Sequence, residues 1–183
     1  MTTQTEEPLT LANLKMAYGA ETNEHRRYLA FANRAEEDGY APVASLLRAA
    51  ARSEAIHARN HAEVIRSLGA SPSTSPRRSV VRSVAQNLQA AVKSEVFDRD
   101  EMYPRFRRQA DADGIQPATR TFQFAEKAEA GHLALFNQTL RLESLRGEAI
   151  MYFVCPVCGF TSSTDNAECP VCSAQSTEFE KVS

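Results

Sequence analysis

Ser53-Glu54-Ala55-Ile56-His57 returns seventy-five residues later as Ala128-Glu129-Ala130-Gly131-His132. The same offset carries Tyr28 onto Tyr103, Phe31 onto Phe106, Ala35 onto Ala110, Asp38 onto Asp113, Gly39 onto Gly114 and Pro42 onto Pro117. One Glu-x-x-His is common by chance. Two of them, each twelve residues after a proline that follows Asp-Gly-x-x, mark an internal repeat.

Working outward, the repeat is helical. From about Thr10 to Asp38 the residues Leu11, Leu14, Tyr18, Glu21, His25, Tyr28, Ala32 and Ala35 fall three or four apart on one face. Asp38-Gly39 stops this helix and Pro42 opens the next, which carries Val43, Leu47, Ala50, Glu54, His57, His61, Val64 and Leu68 to Gly69. Ala70 to Arg78 is a polar, proline-bearing connection. A third helix is expected from about Ser79 to Asp113, with Val81, Val84, Leu88, Ala91, Glu95, Asp98 and Met102 inward and a kink at Pro104. The fourth runs from Pro117 to about Arg146 with Phe122, Ala125, Glu129, His132 and Phe136 on its stripe. Two hairpins joined by one longer link describe a four-helix bundle with a crossover, its halves related by a pseudo-two-fold axis. Helices of about 28 residues are about 42 Å long. A nine-residue link reaches at most about 31 Å, so helix ends must give way for it to cross.

The stripes place Glu21, Glu54, Glu95, Asp98 and Glu129 on core faces, with His57 and His132 beside them. Buried carboxylates need counter-charge. Two metal cations supply it, and the i, i+3 spacing lets each Glu and its His reach one point. A Glu from each of two helices and Glu-x-x-His from the other two is the ligand set of ferritin-like di-iron and di-manganese bundles. His25 and His61 stand one turn from expected ligands, either supporting them by hydrogen bonds or standing by. Tyr28 and Tyr103 read as core packing rather than redox groups, and their symmetric placement leaves open hydrogen bonds from their hydroxyls to ligand carboxylates.

All four cysteines lie in two Cys-Pro-Val-Cys turns, Cys155 with Cys158 and Cys169 with Cys172. Four thiolates so spaced select a metal, and the segment alone leaves iron and zinc open. Backbone N–H groups are expected to point at sulfur, and Tyr152, Phe153, Phe160 and Phe179 to form a miniature core. The chain thus divides into a bundle, 1–147, and a metal-knuckle domain, 148–183. The first holds 20 Lys and Arg against 18 Asp and Glu, the second one lysine against five acids, which favours docking of the tail on the bundle. Residues 1–8 read as disordered. Net charge of −2 with scattered arginines argues against nucleic acid as a partner. The chain has no apolar run long enough for a membrane span and no secretory signal, so the expected location is cytoplasmic.

The bundle motifs Glu21, Ser53-Glu54-Ala-Ile-His57, Lys93-Ser-Glu95, Asp100-Glu101-Met102-Tyr103-Pro104 and Glu129-Ala-Gly-His132, followed by the cysteine tail, resemble the rubrerythrin family over nearly the whole chain. The resemblance implies a ferritin-like bundle with a rubredoxin-like domain, holding two irons in the bundle and one iron in the four-cysteine site, where zinc can substitute. It implies a non-haem peroxidase that reduces hydrogen peroxide to water. An electron-donating reductase or rubredoxin feeds it, and the homodimer sets one subunit's rubredoxin iron near the other's di-iron centre. By resemblance Glu21, Glu54, Glu95, Glu129 and His132 are iron ligands, and His57 exchanges with a carboxylate as the irons change oxidation state. That carboxylate is normally a glutamate and is Asp98 here, one methylene shorter, so the His57-bound arrangement is expected to be favoured. Ser173 stands where a glycine is common. The competing readings are a ferroxidase that handles iron and carries a structural zinc ribbon, and a zinc-ribbon interaction protein on a helical scaffold.

Overall fold

The computed structural model describes residues 8–140, 146–175 and 178–183. The disorder expected over residues 1–7, and the part of the fourth helix expected over 141–145, lie outside the described residues. The elements run α1 (Leu9–Glu37), α2 (Ala41–Ser67), α3 (Val84–Phe97), a π-turn (Asp98–Met102), α4 (Tyr103–Ala112), α5 (Gln116–Leu140), β1 (Tyr152–Val154), β2 (Thr161–Ser162) and β3 (Glu180–Val182). The five α-helices and the π-turn form the four rods of a bundle, with α3, the π-turn and α4 making up the third.

Both hairpins turn in the same way. Gly39 has φ +77° and Gly114 φ +69°. In each, the third residue past the helix donates back five residues, Tyr40 N to Ala35 O at 2.8 Å and Ile115 N to Ala110 O at 2.9 Å. This closes the carbonyls that a helix end leaves open, and Pro42 and Pro117 then start the return helices.

The third rod departs from expectation at both ends. It begins at Val84, five residues late, because Ser83 and Gln86 form a capping box. Val81, expected inward, is 40% exposed, and Val80 is 64% exposed. The cap outweighs two apolar side chains, and the crossover lengthens to residues 68–83. That span reaches about 53 Å extended, enough to run the length of the bundle. Pro104 sits in the first turn of α4, and the irregularity falls just before it. There Tyr103 N–H bonds Asp98 O, five residues back, and the turn widens.

Two apolar clusters fill the bundle. One gathers Tyr28, Phe31, Leu46, Leu47, Leu88 and Phe136, the other Leu14, Ile65, Tyr103, Phe106 and Phe122. On every rod the ionisable residues fall between members of these two clusters, so a charged layer is clamped by apolar packing on both sides. Each fully buried Leu or Phe contributes about 1.5–3 kcal/mol, and this packing holds the layer together.

After the bundle the strands form one antiparallel sheet in the order β2-β1-β3, with Phe153 opposite Ser162 and Lys181. Phe153, Phe160 and Phe179 cluster with the cysteines as expected. Tyr152 does not. It and Val154 point the other way and join the bundle's own apolar cluster, because alternate residues of a strand face opposite sides. Among the described residues no helix is long and apolar enough to cross a membrane.

Candidate metal centre

Six of the seven bundle residues singled out from sequence converge. Glu21, Glu54, His57 and Glu129 each bring one donor atom within 4.8 Å of the others, and so do Glu54, Glu95, Glu129 and His132. Glu54 and Glu129 belong to both groups and divide their oxygens between them. His57 Nδ1 lies 3.0 Å from Glu54 Oε2, 3.0 Å from Glu129 Oε1 and 3.7 Å from Glu21 Oε2. His132 Nδ1 lies 2.8 Å from Glu129 Oε2, 3.4 Å from Glu54 Oε1 and 3.5 Å from Glu95 Oε2. The pseudo-two-fold axis of the repeat therefore runs through two adjacent donor sets with two shared carboxylates and one terminal carboxylate each.

The outer nitrogens of the histidines fix which nitrogen faces inward. His57 Nε2 is 3.1 Å from the Cys158 carbonyl, which can only accept. His132 Nε2 is 3.2 Å from Thr161 Oγ1, whose own proton goes to Gly159 O. Both Nε2 atoms therefore donate, and both Nδ1 atoms can turn bare lone pairs toward the carboxylates. Glu21 Oε2, both oxygens of Glu54 and His57 Nδ1 are buried without any hydrogen-bond partner. Such converging lone pairs cannot be left uncompensated, and they fit two metal cations.

Without metal, protons take that place. Against burial, which pushes the other way, Glu129 and its neighbours hold His57, and Glu54 and Glu95 hold His132, well above the ordinary imidazole range. Burial, then the Glu54 charge, raises Glu21, and burial, then Glu129, raises Glu95. Against burial and the Glu129 charge, the two imidazoles hold Glu54 below its ordinary value; against burial they do the same for Glu129. Cations must expel these protons, so loading should weaken as pH falls. We expect the apparent affinity for ferrous ion under anaerobic conditions to drop about tenfold per pH unit for each proton displaced between pH 8 and pH 6. Calorimetry in buffers of different ionisation enthalpy checks this by counting the protons released.

Asp98 stands outside both donor groups, at the start of the π-turn. It is buried, and burial followed by the charges of Glu24 and Glu21 pushes its carboxyl up to about 11. The carboxylate with the largest influence on it, Glu24, escaped the reading of the stripes although it lies three residues after Glu21. Glu24 bonds the Ser94 hydroxyl and accepts from Arg27 at 2.5 Å, and burial foremost raises its carboxyl to about 7. The tyrosines are placed as expected, Tyr28 donating to Glu95 at 2.7 Å and Tyr103 donating to Glu21. His25 is half-buried and bonds the Ala51 carbonyl at 2.7 Å, away from the ligands.

The four-cysteine site has the dimensions of a metal tetrahedron. All four Sγ atoms lie within 4.8 Å of one another, with Cys155–Cys172 and Cys158–Cys169 at 3.5 Å. Metal–sulfur bonds of about 2.3 Å give tetrahedral edges of about 3.8 Å. The N–H groups of Val157 and Cys158 point at Cys155 Sγ, that of Phe160 at Cys158 and that of Ala174 at Cys172. The bond from Cys158, with those backbone donors, pulls the Cys155 thiol down to about 5. The two knuckles turn alike, Gly159 at φ +82° and Ser173 at φ +63°. A side chain is disfavoured there, so Ser173→Gly should stabilise the folded chain by about 1 kcal/mol, measurable as a raised midpoint in denaturant.

The knuckle sits directly on the dinuclear donors. Ser53 Oγ donates to Gly159 O at 2.6 Å, Asn60 Nδ2 to Val157 O at 2.8 Å and Arg59 to Pro156 O at 2.6 Å. Arg52 holds Glu180 through two bonds of 2.5 and 2.7 Å, where the expected charge attraction takes a definite form. A Cβ on Gly159 would collide with His57 Nε2 and Ser53 Oγ. The contact that the resemblance sets between two subunits is made here within a single chain. Ser53, Thr161 and Gly159 were not singled out from sequence; the Ser before Glu54 was the one signal available.

The model of the rubrerythrin family matches residues 12–140. The chain belongs to the rubrerythrin family. This family member is 34% identical to rubrerythrin-2 of Clostridium acetobutylicum over 94% of its own length and 96% of that protein's. It is 32% identical to nigerythrin of Nitratidesulfovibrio vulgaris over 89% of its own length and 81% of that protein's. The fully reduced, all-ferrous structure of nigerythrin matches it with a TM-score of 0.87 at 29% identity, covering 99% of this chain and 91% of that one. A bacterioferritin of Desulfovibrio desulfuricans shares the bundle alone, with a TM-score of 0.68 at 22% identity over 72% of this chain and 78% of that one. A di-iron centre in the bundle and a rubredoxin-type iron in the knuckle are the cofactors that the family and the two donor sets support.

Proposed function

We propose that this rubrerythrin-family protein is a peroxidase that reduces hydrogen peroxide to water. The single observation that carries the reading is the bond between the Cys158 carbonyl and His57 Nε2 at 3.1 Å, which joins a four-cysteine ligand to a dinuclear ligand through one peptide group. When bound, the iron pair supplies the two electrons that cleave an O–O bond, and the four-cysteine iron replaces them singly. Everything else is the work of side chains. Glu54 and Glu129, common to both donor groups, would be shared by the two ions, Glu21 and Glu95 would each serve one, and His57 and His132 would offer Nδ1 while their Nε2 protons anchor the knuckle. Tyr28 and Tyr103 hold the terminal carboxylates. Housing both sites in one chain makes electron delivery intramolecular, at high effective concentration. A ribbon that only docked a partner would have no reason to spend two backbone carbonyls on the dinuclear ligands and Ser53.

We take residues 1–147 and 148–183 as the working domains, a reductase or rubredoxin as the electron source, and a homodimer as the assembly. The test is metal analysis and turnover together. Protein matured with ample iron should carry three irons per chain, and supplied with electrons it should convert peroxide to water. One tightly bound zinc, no iron and an intact bundle would sink the enzyme reading.

A further inference from the structure

His61 belongs to no donor group, yet it is fully buried between two hydrogen-bond partners. Its Nε2 is 3.2 Å from the Tyr103 hydroxyl and its Nδ1 is 3.0 Å from Thr121 Oγ1. With Glu21 ionised, as it would be when it holds a metal, the proton positions follow. Tyr103 has one hydroxyl proton and gives it to Glu21 Oε1, so its oxygen accepts from His61 Nε2–H. The imidazole is neutral, burial and then the nearby His57 pushing it down to about 3, so Nδ1 accepts from the Thr121 hydroxyl. All three donors therefore point the same way, toward Glu21. Thr121 lines a cavity of about 360 Å³ where α2, α5 and the knuckle residue Val157 meet, with the exposed side chains of Glu63 and Arg120 at its edge.

The other half of the repeat shows that packing does not require this arrangement. Shifted by seventy-five residues, Tyr103 becomes Tyr28, which bonds Glu95 in the same manner. His61 becomes Phe136, whose ring meets Tyr28 edge-on at 5.8 Å, and Thr121 becomes Leu46, fully buried. Tyr28 meets the Arg27 side chain and the Phe136 ring, whereas Tyr103 continues through His61 and Thr121 to a cavity. Two apolar residues fill the same space at less desolvation cost.

We propose that Thr121, His61 and Tyr103 form a one-sided proton relay from this cavity to Glu21. The proposal rests on the peroxidase reading for its purpose. Reducing one peroxide to two waters breaks the O–O bond and takes up two electrons and two protons. The electrons are those of the proposed reaction, and the relay supplies one of the protons. A cavity water protonates Thr121 Oγ1 as the Thr121 proton moves to His61 Nδ1. The Nε2 proton passes to Tyr103, and the Tyr103 proton passes to Glu21 Oε1, where it is taken up in forming water. The hydroxide left in the cavity is neutralised by bulk buffer; between turnovers the hydroxyls turn back and His61 returns to its Nε2–H form by proton exchange with solvent, losing a proton at Nδ1 and gaining one at Nε2. His61 is a positioning and relay residue; it touches neither substrate nor metal donors.

The test uses the full chain in two forms. In zinc-loaded protein, nitrogen NMR of the His61 ring should show a neutral imidazole with its proton on Nε2, and Thr121→Val should slow exchange of that proton with solvent about tenfold. In iron-loaded, chemically reduced protein, oxidation by peroxide should show a solvent deuterium isotope effect. His61→Phe, the residue the other half uses, should slow it on the order of 100-fold. Thr121→Val, close in shape but leaving His61 Nδ1 without its donor, should slow the same step and change the isotope effect. Wild-type rates and isotope effects in both variants at full iron loading would overturn the relay, as would a His61 proton resting on Nδ1. Wild-type protein that does not reduce peroxide would instead overturn the function reading, and the zinc-form measurements would then judge the path to Glu21 separately.

Discussion

Cys158→Ser should remove the four-cysteine iron and bring steady peroxide turnover down by about 100-fold or more, the scale on which intramolecular delivery outruns bimolecular delivery. The reason is local. Cys158 supplies one of four thiolates, and a knuckle this small depends on its metal to fold. The bundle does not, because its two apolar clusters enclose the dinuclear layer without help from the cysteines. Chemically reduced Cys158→Ser protein should therefore still consume one equivalent of peroxide and then stop. Stopped-flow and steady-state rates on the same preparation check both halves of the expectation. If the single turnover also disappears, the knuckle is holding the dinuclear ligands in place, through His57 and His132, and its role is structural as well as electronic.

Gly159→Ala should undock the knuckle while leaving both metal sites able to fill. The residue sits at φ +82°, where an alanine costs about 1–2 kcal/mol. Its new methyl would collide with His57 Nε2 and Ser53 Oγ. Ser53 and His57 would lose their partners on Gly159 and Cys158, at about 1–3 kcal/mol for each buried group left unsatisfied. The sum exceeds what the half-exposed Arg52–Glu180 pair can restore. We expect three irons per chain, ordinary visible absorption of the four-cysteine iron, and slow re-reduction of the dinuclear site. Protease nicking near residues 146–151 should quicken. Re-reduction at the wild-type rate would mean that electrons do not need the Cys158–His57 contact.

How far the sequence carried these conclusions depends on the range of the interactions involved. Glu54, His57, Glu129 and His132 were legible because the repeat writes the same local spacing twice and helix periodicity puts each pair on one face. Glu21 and Glu95 followed from their stripes. The start of α3 was misjudged because Val80 and Val81 look like core, whereas Ser83 and Gln86 close a cap that decides the boundary. Asp98 shared a stripe with Glu95, but the π-turn begins at that residue and its carboxylate stays out of the donor groups. Docking of the knuckle was favoured by the division of charge, but its contacts were not legible. It joins Ser53 and His57 to residues more than a hundred positions away, and no periodicity encodes such a contact. Tyr152, read as part of a miniature cysteine core, shows the same limit, since the side of β1 that meets the bundle is set by the docked position. His61 and Thr121 were written in the repeat as its exceptions, the places where the offset of seventy-five residues exchanges polar for apolar.

The central claim is that two electrons leave the bundle to peroxide and are replaced through the knuckle of the same chain. Rapid mixing of fully reduced, iron-loaded protein with one equivalent of hydrogen peroxide tests it most directly, with the dinuclear and four-cysteine irons followed at their separate absorptions. The account predicts that the dinuclear site oxidises first, and that the four-cysteine iron reddens afterwards at a rate independent of protein concentration. Oxidation of the four-cysteine iron that scales with protein concentration, or a dinuclear site that stays reduced while peroxide persists, would contradict it.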